Sequence, residues 1–258
     1  IRDEETGETL LSGMGQLHIE ISVEKAKRRG KIDMELTTPK IPYRETIKGK
    51  VQVQGRHKKQ SGGKGQFGDC WIEMSPLERG AGYEFENAIV GGAIPKQYIP
   101  AVDKGIQESA KRGFLAGYPV VDFKVKLYDG SYHDVDSSEM AFKLAGSLAF
   151  KKAMEELKVV LLEPIALVTV SCPDEYFGDI VGDLASRRGR VLGSDTDKGI
   201  TEIKANVPMS EIMQYASDLR SMTGGQGLFL MEFDHYDEAP QPVVDKVVAE
   251  YQQTKTDE

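Results

Sequence analysis

Four glycines fall within residues 60–68, where the sequence GKGQFG at 63–68 matches the pattern GxGxxG. A dinucleotide-binding loop of this pattern lies between a strand and a helix N-terminus, because the helix end holds the pyrophosphate. Residues 70–74 instead alternate like a strand, which disfavours that site. A kinase glycine-rich loop does lie between strands, but no HRD or DFG motif follows. The segment is therefore predicted to be a flexible basic loop whose backbone N–H groups suit RNA phosphates or bind nothing.

A second polar segment, GSYHDVDSS at 130–138, places Tyr132 beside His133. Both side chains can stack on bases, and an imidazole can also donate a hydrogen bond to phosphate. The alternative is a loop that only leads into a helix, with Asp136 and Ser138 as its caps. The two interpretations can hold together.

Other catalytic and metal-binding chemistries lack their residue patterns. Gly-Lys pairs at 30–31, 49–50 and 63–64 are never followed by Ser or Thr, so the chain has no phosphate-binding P-loop. No GxSxG sequence supports a serine hydrolase. The four histidines are scattered and no CxxC occurs, which disfavours a metal site. We predict no catalytic residue, no metal and no cofactor in this chain.

The charge distribution limits how nucleic acid could be bound. The formal net charge is −8, which argues against a diffuse positive field. Two local clusters remain: Arg56, Lys58, Lys59 and Lys64 form one, and Arg187, Arg188 and Arg190 the other. Such clusters can equally be solvated surface.

The overall composition indicates a packed protein of two or three domains. The chain has 258 residues, of which 40% are hydrophobic and 29% charged. No apolar run approaches the ~20 residues of a membrane-spanning helix. Cys70 and Cys172 are isolated, so we expect a reducing cytoplasm. The chain begins at Ile1 without Met, and we expect it to be part of a longer protein.

Hydrophobic periodicity predicts a mixture of strands and helices, hence an α+β protein. Two strands, at 43–57 and 70–74, would form a long projecting hairpin around the glycine-rich loop. We predict further strands at 83–90 and 120–128, a turn at 129–131, and helices at 98–111 and 139–157. Before them, strands are predicted at 9–14 and 32–36, while 16–29 fits either a strand or a helix.

The pattern restarts after residue 164. Strands at 166–171, 191–193, 200–207 and 228–233 alternate with helices at 174–188 and 211–222. This β-α-β-β-α-β order is the ferredoxin-like arrangement. A short helix at 243–252 is predicted to follow.

Several of these segments resemble the elongation factor G family. The sequences SGGKGQFG at 61–68, GYPVVD at 117–122 and GSYHDVDSSEMAF at 130–142 resemble domain IV of the bacterial factor. LASRRG at 184–189 and DLRSMT at 218–223 resemble its domain V, and SGMGQLH at 12–18 resembles the second half of domain III. The resemblance covers nearly the whole chain and implies that 16–29 is a helix.

The resemblance implies a multidomain α+β architecture. Residues 1–46 would be the second half of domain III, an incomplete ferredoxin-like fold. Residues 47–164 would be domain IV, a tRNA-mimicking rod with a β-α-β, ribosomal-protein-like fold and the long hairpin. Residues 165–238 would be the ferredoxin-like domain V, and 239–258 a C-terminal helix and tail.

The resemblance also implies a role on the ribosome. The family drives movement of tRNA and mRNA, so the expected partners are the ribosome and its tRNA–mRNA, with no membrane. We expect a cytoplasmic monomer. The GTP-binding domain, with GTP and Mg²⁺, would precede Ile1, and this part would hold no catalytic site.

Two groups of residues would make the ribosomal contacts. The tip of domain IV would enter the decoding A site of the small ribosomal particle through Lys58, Lys59, Gln60, Ser61, Gly62, Gly63, Lys64, Gly65, Gln66, Phe67, Tyr132, His133 and Asp134. Domain V would meet the stalk base and sarcin–ricin loop of the large ribosomal particle through Arg187, Arg188, Arg190 and Arg220.

Two departures from the family pattern leave the type of member open. Asp69 stands where the housekeeping factor usually has His, and GGQG at 224–227 replaces its usual Gln-Gly-Arg. Both are similar to second-type paralogues. The alternatives are a translocase and a paralogue acting in ribosome recycling, rescue or regulation. A ribosome protection protein is a third, less similar option.

Overall fold

The computed structural model describes residues 8–11, 13, 16–30, 35–60 and 65–257. The chain divides into two compact units. The first unit comprises Ile1–Pro42 and Glu163–Asp237, and the second comprises Tyr43–Leu162 and Glu238–Glu258. Each is a mixture of sheet and helix, which confirms the α+β, multidomain prediction. These units cut across the four segments expected from the sequence, whose boundaries stay a prediction.

The first six strands along the chain are β1 Arg44–Lys48, β2 Val51–Lys59, β3 Gln66–Pro76, β4 Tyr83–Asn87, β5 Phe123–Ser131 and β6 Lys158–Pro173. The second unit is built on a four-stranded sheet in the order β2-β3-β5-β4. All pairs in this sheet are antiparallel except the parallel pair β4–β5. The short strand β1 pairs instead with the first part of the long strand β6, with Arg44 opposite Leu162.

Two helices, α2 Ile99–Arg112 and α3 Glu139–Glu156, pack on this sheet. The buried positions of α3 are mostly small, so the β2–β3 hairpin can approach the helix closely. At Gly55 a Cβ atom would lie 2.1 Å from the Ala145 carbonyl oxygen, which only glycine avoids. The helix α7 Gln241–Asp257 also belongs to this unit.

The first unit contains a ferredoxin-like β-α-β-β-α-β segment, as predicted. After β6, its elements are α4 Phe177–Ser186, β7 Arg190–Asp197, β8 Ile200–Pro208, α5 Met209–Ile212, α6 Tyr215–Met222 and β9 Leu228–Glu238. The second part of β6 pairs with β8, β8 pairs with β7, and β9 pairs with β6. Ile180, Leu184 and Leu219 pack from the helices onto the buried face of the sheet.

The helix predicted from the resemblance at 16–29 is confirmed as α1 Gln16–Gly30. The neighbouring strand predictions at 9–14 and 32–36 fall partly outside the described residues. Of their described positions, Thr9 forms only an isolated bridge and residues 35–36 are not in a strand. Among the described residues, no helix is long and apolar enough to cross a membrane.

Three element predictions were wrong. The strand expected at 43–57 is two strands, because Gly49 takes a positive φ of 96° and turns the chain between β1 and β2. The turn expected at 129–131 lies inside β5, which pairs with β3 as far as Ser131. The helix expected at 211–222 is broken between α5 and α6, where Gln214 leaves helical geometry.

Candidate nucleic-acid interface

The β2–β3 hairpin brings the first group of predicted site residues to one end of the second unit. Its pairing ends with Lys59 opposite Gln66, preceded by Lys58 opposite Phe67. Lys58, Lys59 and Gln60 are exposed, and neither lysine forms an ion pair with any described residue. Ser61, Gly62, Gly63 and Lys64 lie outside the described residues.

A second loop, residues 132–137, joins β5 to α3. Tyr132, His133, Asp134 and Val135 are all exposed. The loop ends at Ser138, whose Oγ accepts a hydrogen bond from the Ala141 amide at 3.2 Å and so caps α3. The predicted helix entry is therefore present, with Ser138 as the capping residue.

The hairpin end and this loop are joined by hydrogen bonds. The Phe67 amide donates to the Asp136 carbonyl oxygen at 2.9 Å, and the Ser137 hydroxyl donates to the Phe67 carbonyl oxygen at 3.0 Å. The Gly65 amide donates to Asp136 Oδ1 at 3.0 Å. The predicted residues from both loops thus share one surface. We call it the tip surface; its described members are Lys58, Lys59, Gln60, Gly65, Gln66, Phe67, Tyr132, His133 and Asp134, of which Gly65 is buried and Phe67 half-buried while the others are exposed.

Backbone amides of the same loop orient the imidazole of His133. Nδ1 accepts the Val135 and Asp136 amides, each at 3.3 Å, while the His133 amide donates to Ser137 Oγ at 2.9 Å. A neutral imidazole that accepts at Nδ1 carries its proton on Nε2. The side chain of His133 is 58% exposed, so this arrangement can present an Nε2–H donor to a ligand.

Two residues of the tip surface have further partners within the hairpin. The Arg56 guanidinium lies 5.6 Å from the centre of the Phe67 ring, a cation–π contact. His57 Nε2 is 2.8 Å from Gln66 Oε1. Both pairs tie side chains across β2 and β3, so they order the hairpin next to the exposed lysines.

Asp69 lies behind the tip surface and is buried. Its carboxylate accepts hydrogen bonds from Gln54 Nε2 at 2.8 Å and from the Ser131 hydroxyl at 2.7 Å. Asp69 therefore ties β3 to both of its neighbouring strands. This is a structural task that a histidine would perform with different hydrogen-bonding chemistry.

Cys70 and Cys172 are both free and buried. Burial, and then the neighbouring Asp69 carboxylate, raise the pKa of the Cys70 thiol to about 12. Burial likewise raises the pKa of the Cys172 thiol. Both thiols are held in the unreactive, protonated form.

In the first unit, Arg187 is held internally. Its Nε is 2.8 Å from Asp183 Oδ2 and its Nη2 is 2.6 Å from Asp218 Oδ2. Its guanidinium also lies 5.1 Å from the centre of the Tyr215 ring. Hydrogen bonds with Asp183 first, and then Asp218, raise the pKa of Arg187.

Arg188 is also engaged within the first unit. Its two terminal nitrogens bind the Glu163 carboxylate at 2.7 and 2.9 Å, and its Nε is 3.1 Å from Glu211 Oε1. Glu163 is buried, so this forked ion pair neutralises a carboxylate that has little access to water. The pKa of Arg188 is raised, chiefly by its hydrogen bonds to Glu163.

The other two predicted arginines are available to a ligand. Arg190 and Arg220 are exposed and form no ion pair with any residue that the structure describes. RNA binding by all four arginines stays a prediction. The geometry favours Arg190 and Arg220, because Arg187 and Arg188 would have to leave carboxylates unpaired to bind phosphate.

Sequence reasoning missed the residues that hold the site together. Asp136 and Ser137 bind residues about 70 positions earlier, and a single sequence carries no signal of such pairing. It also missed Glu45, a buried carboxylate that accepts four backbone amides from the loop at residues 114–118.

Comparison with known proteins agrees with this architecture. Residues 1–38 match the family model described as Elongation Factor G, domain III; residues 39–158 match Elongation factor G, domain IV; and residues 160–247 match Elongation factor G C-terminus. The three matches cover almost the whole chain and all come from one translation elongation factor.

A solved structure supports the same assignment. A crystal structure of a protein from Thermus thermophilus is 47% identical in sequence and superposes with a TM-score of 0.89. It matches 98% of this chain, which spans 38% of the length of that protein. The chain therefore belongs to the elongation factor G family, which confirms the resemblance seen in the sequence.

Proposed function

We propose that this chain is the ribosome-engaging part of a translational GTPase that promotes movement of tRNA and mRNA. The tip surface would enter the decoding A site of the small ribosomal particle, where it would contact the tRNA–mRNA duplex. The observation that carries the proposal is the joining of two loops into one surface on which His133, Tyr132 and two lysines are exposed, neither lysine having an ion-pair partner among the described residues. These side chains can bind RNA without catalysing a reaction.

The groups on the tip surface suit recognition of RNA by shape. Proteins recognise RNA helices mainly through phosphates, 2′-hydroxyl groups and the shallow groove, while exposed aromatic rings stack on bases. The Nε2–H group of His133 can donate to such oxygens, the Tyr132 ring can stack, and Lys58 and Lys59 can neutralise phosphates. With a net charge of −8, affinity for unrelated duplex RNA should be weak, so binding would depend on this shaped surface.

The first unit would meet RNA of the large ribosomal particle near the stalk base and the sarcin–ricin loop. Arg190 and Arg220 would make the direct contacts, while Arg187 and Arg188 would hold the surrounding elements in place. GTP and Mg²⁺ would bind in a domain outside this chain, which has no P-loop sequence. We expect the protein to act as a monomer in the cytoplasm.

A second candidate is a paralogue that acts in ribosome recycling, rescue or regulation and translocates poorly. Asp69 and the sequence GGQG at 224–227 favour it. Asp69 crosslinks three strands immediately behind the tip surface, so its exchange for histidine would alter the support of both loops. Gly224 and Gly225 both take positive φ angles, 57° and 86°, a backbone conformation that glycine adopts more readily than other residues.

A translocation assay on the full-length protein separates the candidates. Ribosomes carrying tRNAs in the pretranslocation state would be mixed with the factor and GTP, and mRNA movement would be followed by fluorescence. The first candidate predicts rapid, single-round movement at stoichiometric factor. Slow movement combined with efficient splitting of post-termination ribosomes would refute the translocase and support the paralogue.

A further inference from the structure

We propose that Asp136 is a positioning residue that locks the end of the β2–β3 hairpin to the loop carrying His133. The two loops would then meet RNA as one preformed body. This inference rests on the proposed function and deepens it, because it assigns the preorganisation of the tip surface to a residue that acts through its neighbours.

Asp136 contacts both loops at once. Its Oδ1 accepts the Gly65 amide at 3.0 Å, and its carbonyl oxygen accepts the Phe67 amide at 2.9 Å. Its own amide donates to His133 Nδ1 at 3.3 Å, and its Oδ2 lies 3.6 Å from the same nitrogen. One residue therefore fixes the hairpin end and the orientation of the exposed imidazole.

Gly65 is shaped to receive this carboxylate. A Cβ atom at Gly65 would lie 2.9 Å from Asp136 Oδ2 and 3.2 Å from Oδ1. A side chain at this position would therefore force the carboxylate to shift and would weaken its bond to the Gly65 amide. The side chain of Asp136 is only 22% exposed, so water competes weakly for the bond.

Ser137 and Ser138 anchor the rest of the loop, and the Asp136 side chain adds a link beyond the end of the β2–β3 ladder. Ser137 is buried and its hydroxyl bonds the Phe67 carbonyl oxygen, while Ser138 caps α3. The ladder between β2 and β3 ends at Lys59 and Gln66. Beyond this pair, the Asp136 side chain holds the next residue, Gly65. If that bond were lost, the hairpin end would have to be ordered during RNA binding, at an entropic cost.

Four variants of the full-length protein test the proposal. Asp136→Ala removes the acceptor, and Gly65→Ala displaces it without changing charge. Asp136→Asn keeps an oxygen acceptor of the same shape. Glu139→Gln is the matched control: Glu139 is exposed, lies in the first turn of α3, and forms no side-chain bond with any described residue.

Two measurements are made on each variant. Hydrogen exchange of the Gly65 and Phe67 amides reports the lock itself in the free protein. Translocation is measured as the rate at saturating factor and as the factor concentration that gives half of this rate. We expect Asp136→Ala and Gly65→Ala to speed exchange and to lower the saturating rate about tenfold, which corresponds to about 1.4 kcal/mol. The half-saturating concentration should change less than about twofold, because most ribosome contacts are retained.

Asp136→Asn should restore most of the rate, and Glu139→Gln should behave as the wild type. Unchanged amide exchange in Asp136→Ala would overturn the inference, as would an Asp136→Asn protein as slow as Asp136→Ala. If the wild-type protein translocates and Asp136→Ala translocates at the same rate, the role of Asp136 is refuted while the proposed function stands. A wild-type protein that does not translocate refutes the proposed function and, with it, the role given to Asp136 on RNA.

Discussion

Replacing Glu45 with alanine should strongly destabilise the second unit. The carboxylate of Glu45 is fully buried and accepts the amides of Phe114, Leu115, Ala116 and Tyr118 at 2.8 to 3.2 Å. It thereby holds the chain between α2 and the start of the GYPVVD segment. The backbone bonds of Glu45 to this region, such as its amide to the Pro119 carbonyl oxygen, would survive the substitution.

The magnitude follows from what replaces the four bonds. A hydrogen bond to a charged group contributes about 1.5–3 kcal/mol, but four bonds to one carboxylate do not add. Three of the amides belong to residues that are at least partly exposed, so water can replace the carboxylate there. The amide of Ala116 is buried and would stay unpaired at a cost of about 1–3 kcal/mol. We expect a loss of about 3–5 kcal/mol in the free energy of unfolding.

Urea unfolding followed by tryptophan fluorescence measures this loss. The chain has one tryptophan, Trp71, which lies on β3 of the same unit and so reports its unfolding. Glu86→Ala is the control: among the described residues, Glu86 pairs with lysines at the surface, and its removal should leave the free energy of unfolding close to that of the wild type. A loss below about 1 kcal/mol for Glu45→Ala would show that the carboxylate does not hold the loop at residues 114–118.

Two further predictions concern the arginine pair and the buried thiol. Arg188→Ala should destabilise the first unit by about 2–4 kcal/mol in urea unfolding, because it leaves the buried Glu163 carboxylate unpaired, while Arg190→Ala should cost less than about 0.5 kcal/mol. Equal losses for Arg188→Ala and Arg190→Ala would show that the ion pair between Arg188 and Glu163 contributes nothing to the free energy of unfolding. The raised pKa of Cys70 means that the folded thiol stays protonated after the unfolded thiol ionises, so its contribution is complete below pH 9 and falls as the pH rises above 9. Between pH 8 and pH 10 the wild type should lose about 1.4 kcal/mol more than Cys70→Ala, and parallel pH curves would contradict this.

The elements with strong local signals could be predicted from the sequence. Apolar periodicity and a capping serine located α2 and α3, and alternation located the strands on both sides of the glycine-rich loop. The break at Gly49 could not be seen, because apolar alternation continues on both sides of it while the backbone bends through a positive φ. For α1, periodicity allowed a strand or a helix, and only the resemblance decided between them.

The sequence located both loops of the candidate site, but not the bonds that join them. Motifs indicated both tip loops, yet the bonds from Asp136 and Ser137 to residues 65–67 depend on how β5 and β3 pair far apart in the sequence. The same limit applied to Arg187 and Arg188. Their charges are visible in the sequence, and so is the four-residue spacing of Asp183 and Arg187, whereas Asp218, Glu163 and Glu211 come from other elements.

The substitution His133→Ala in the full-length protein tests most directly whether the tip surface contacts RNA during tRNA movement. One exposed imidazole should contribute on the order of 1–3 kcal/mol to RNA contact, so single-round translocation should slow about ten- to a hundredfold. Ribosome-stimulated GTP hydrolysis should stay near wild type, because GTP would bind in another domain. Unfolding stability should change by less than about 1 kcal/mol, since the two amides bound to Nδ1 lie in an exposed loop that water can reach.

The matched control is His235→Ala, which removes an exposed imidazole from the other unit and should leave translocation unchanged. Translocation, GTP hydrolysis and thermal unfolding would be measured on the same two proteins. We expect slow translocation with normal hydrolysis and stability for His133→Ala alone. Normal translocation with a lowered melting temperature would contradict it, because His133 would then serve only the entry into α3.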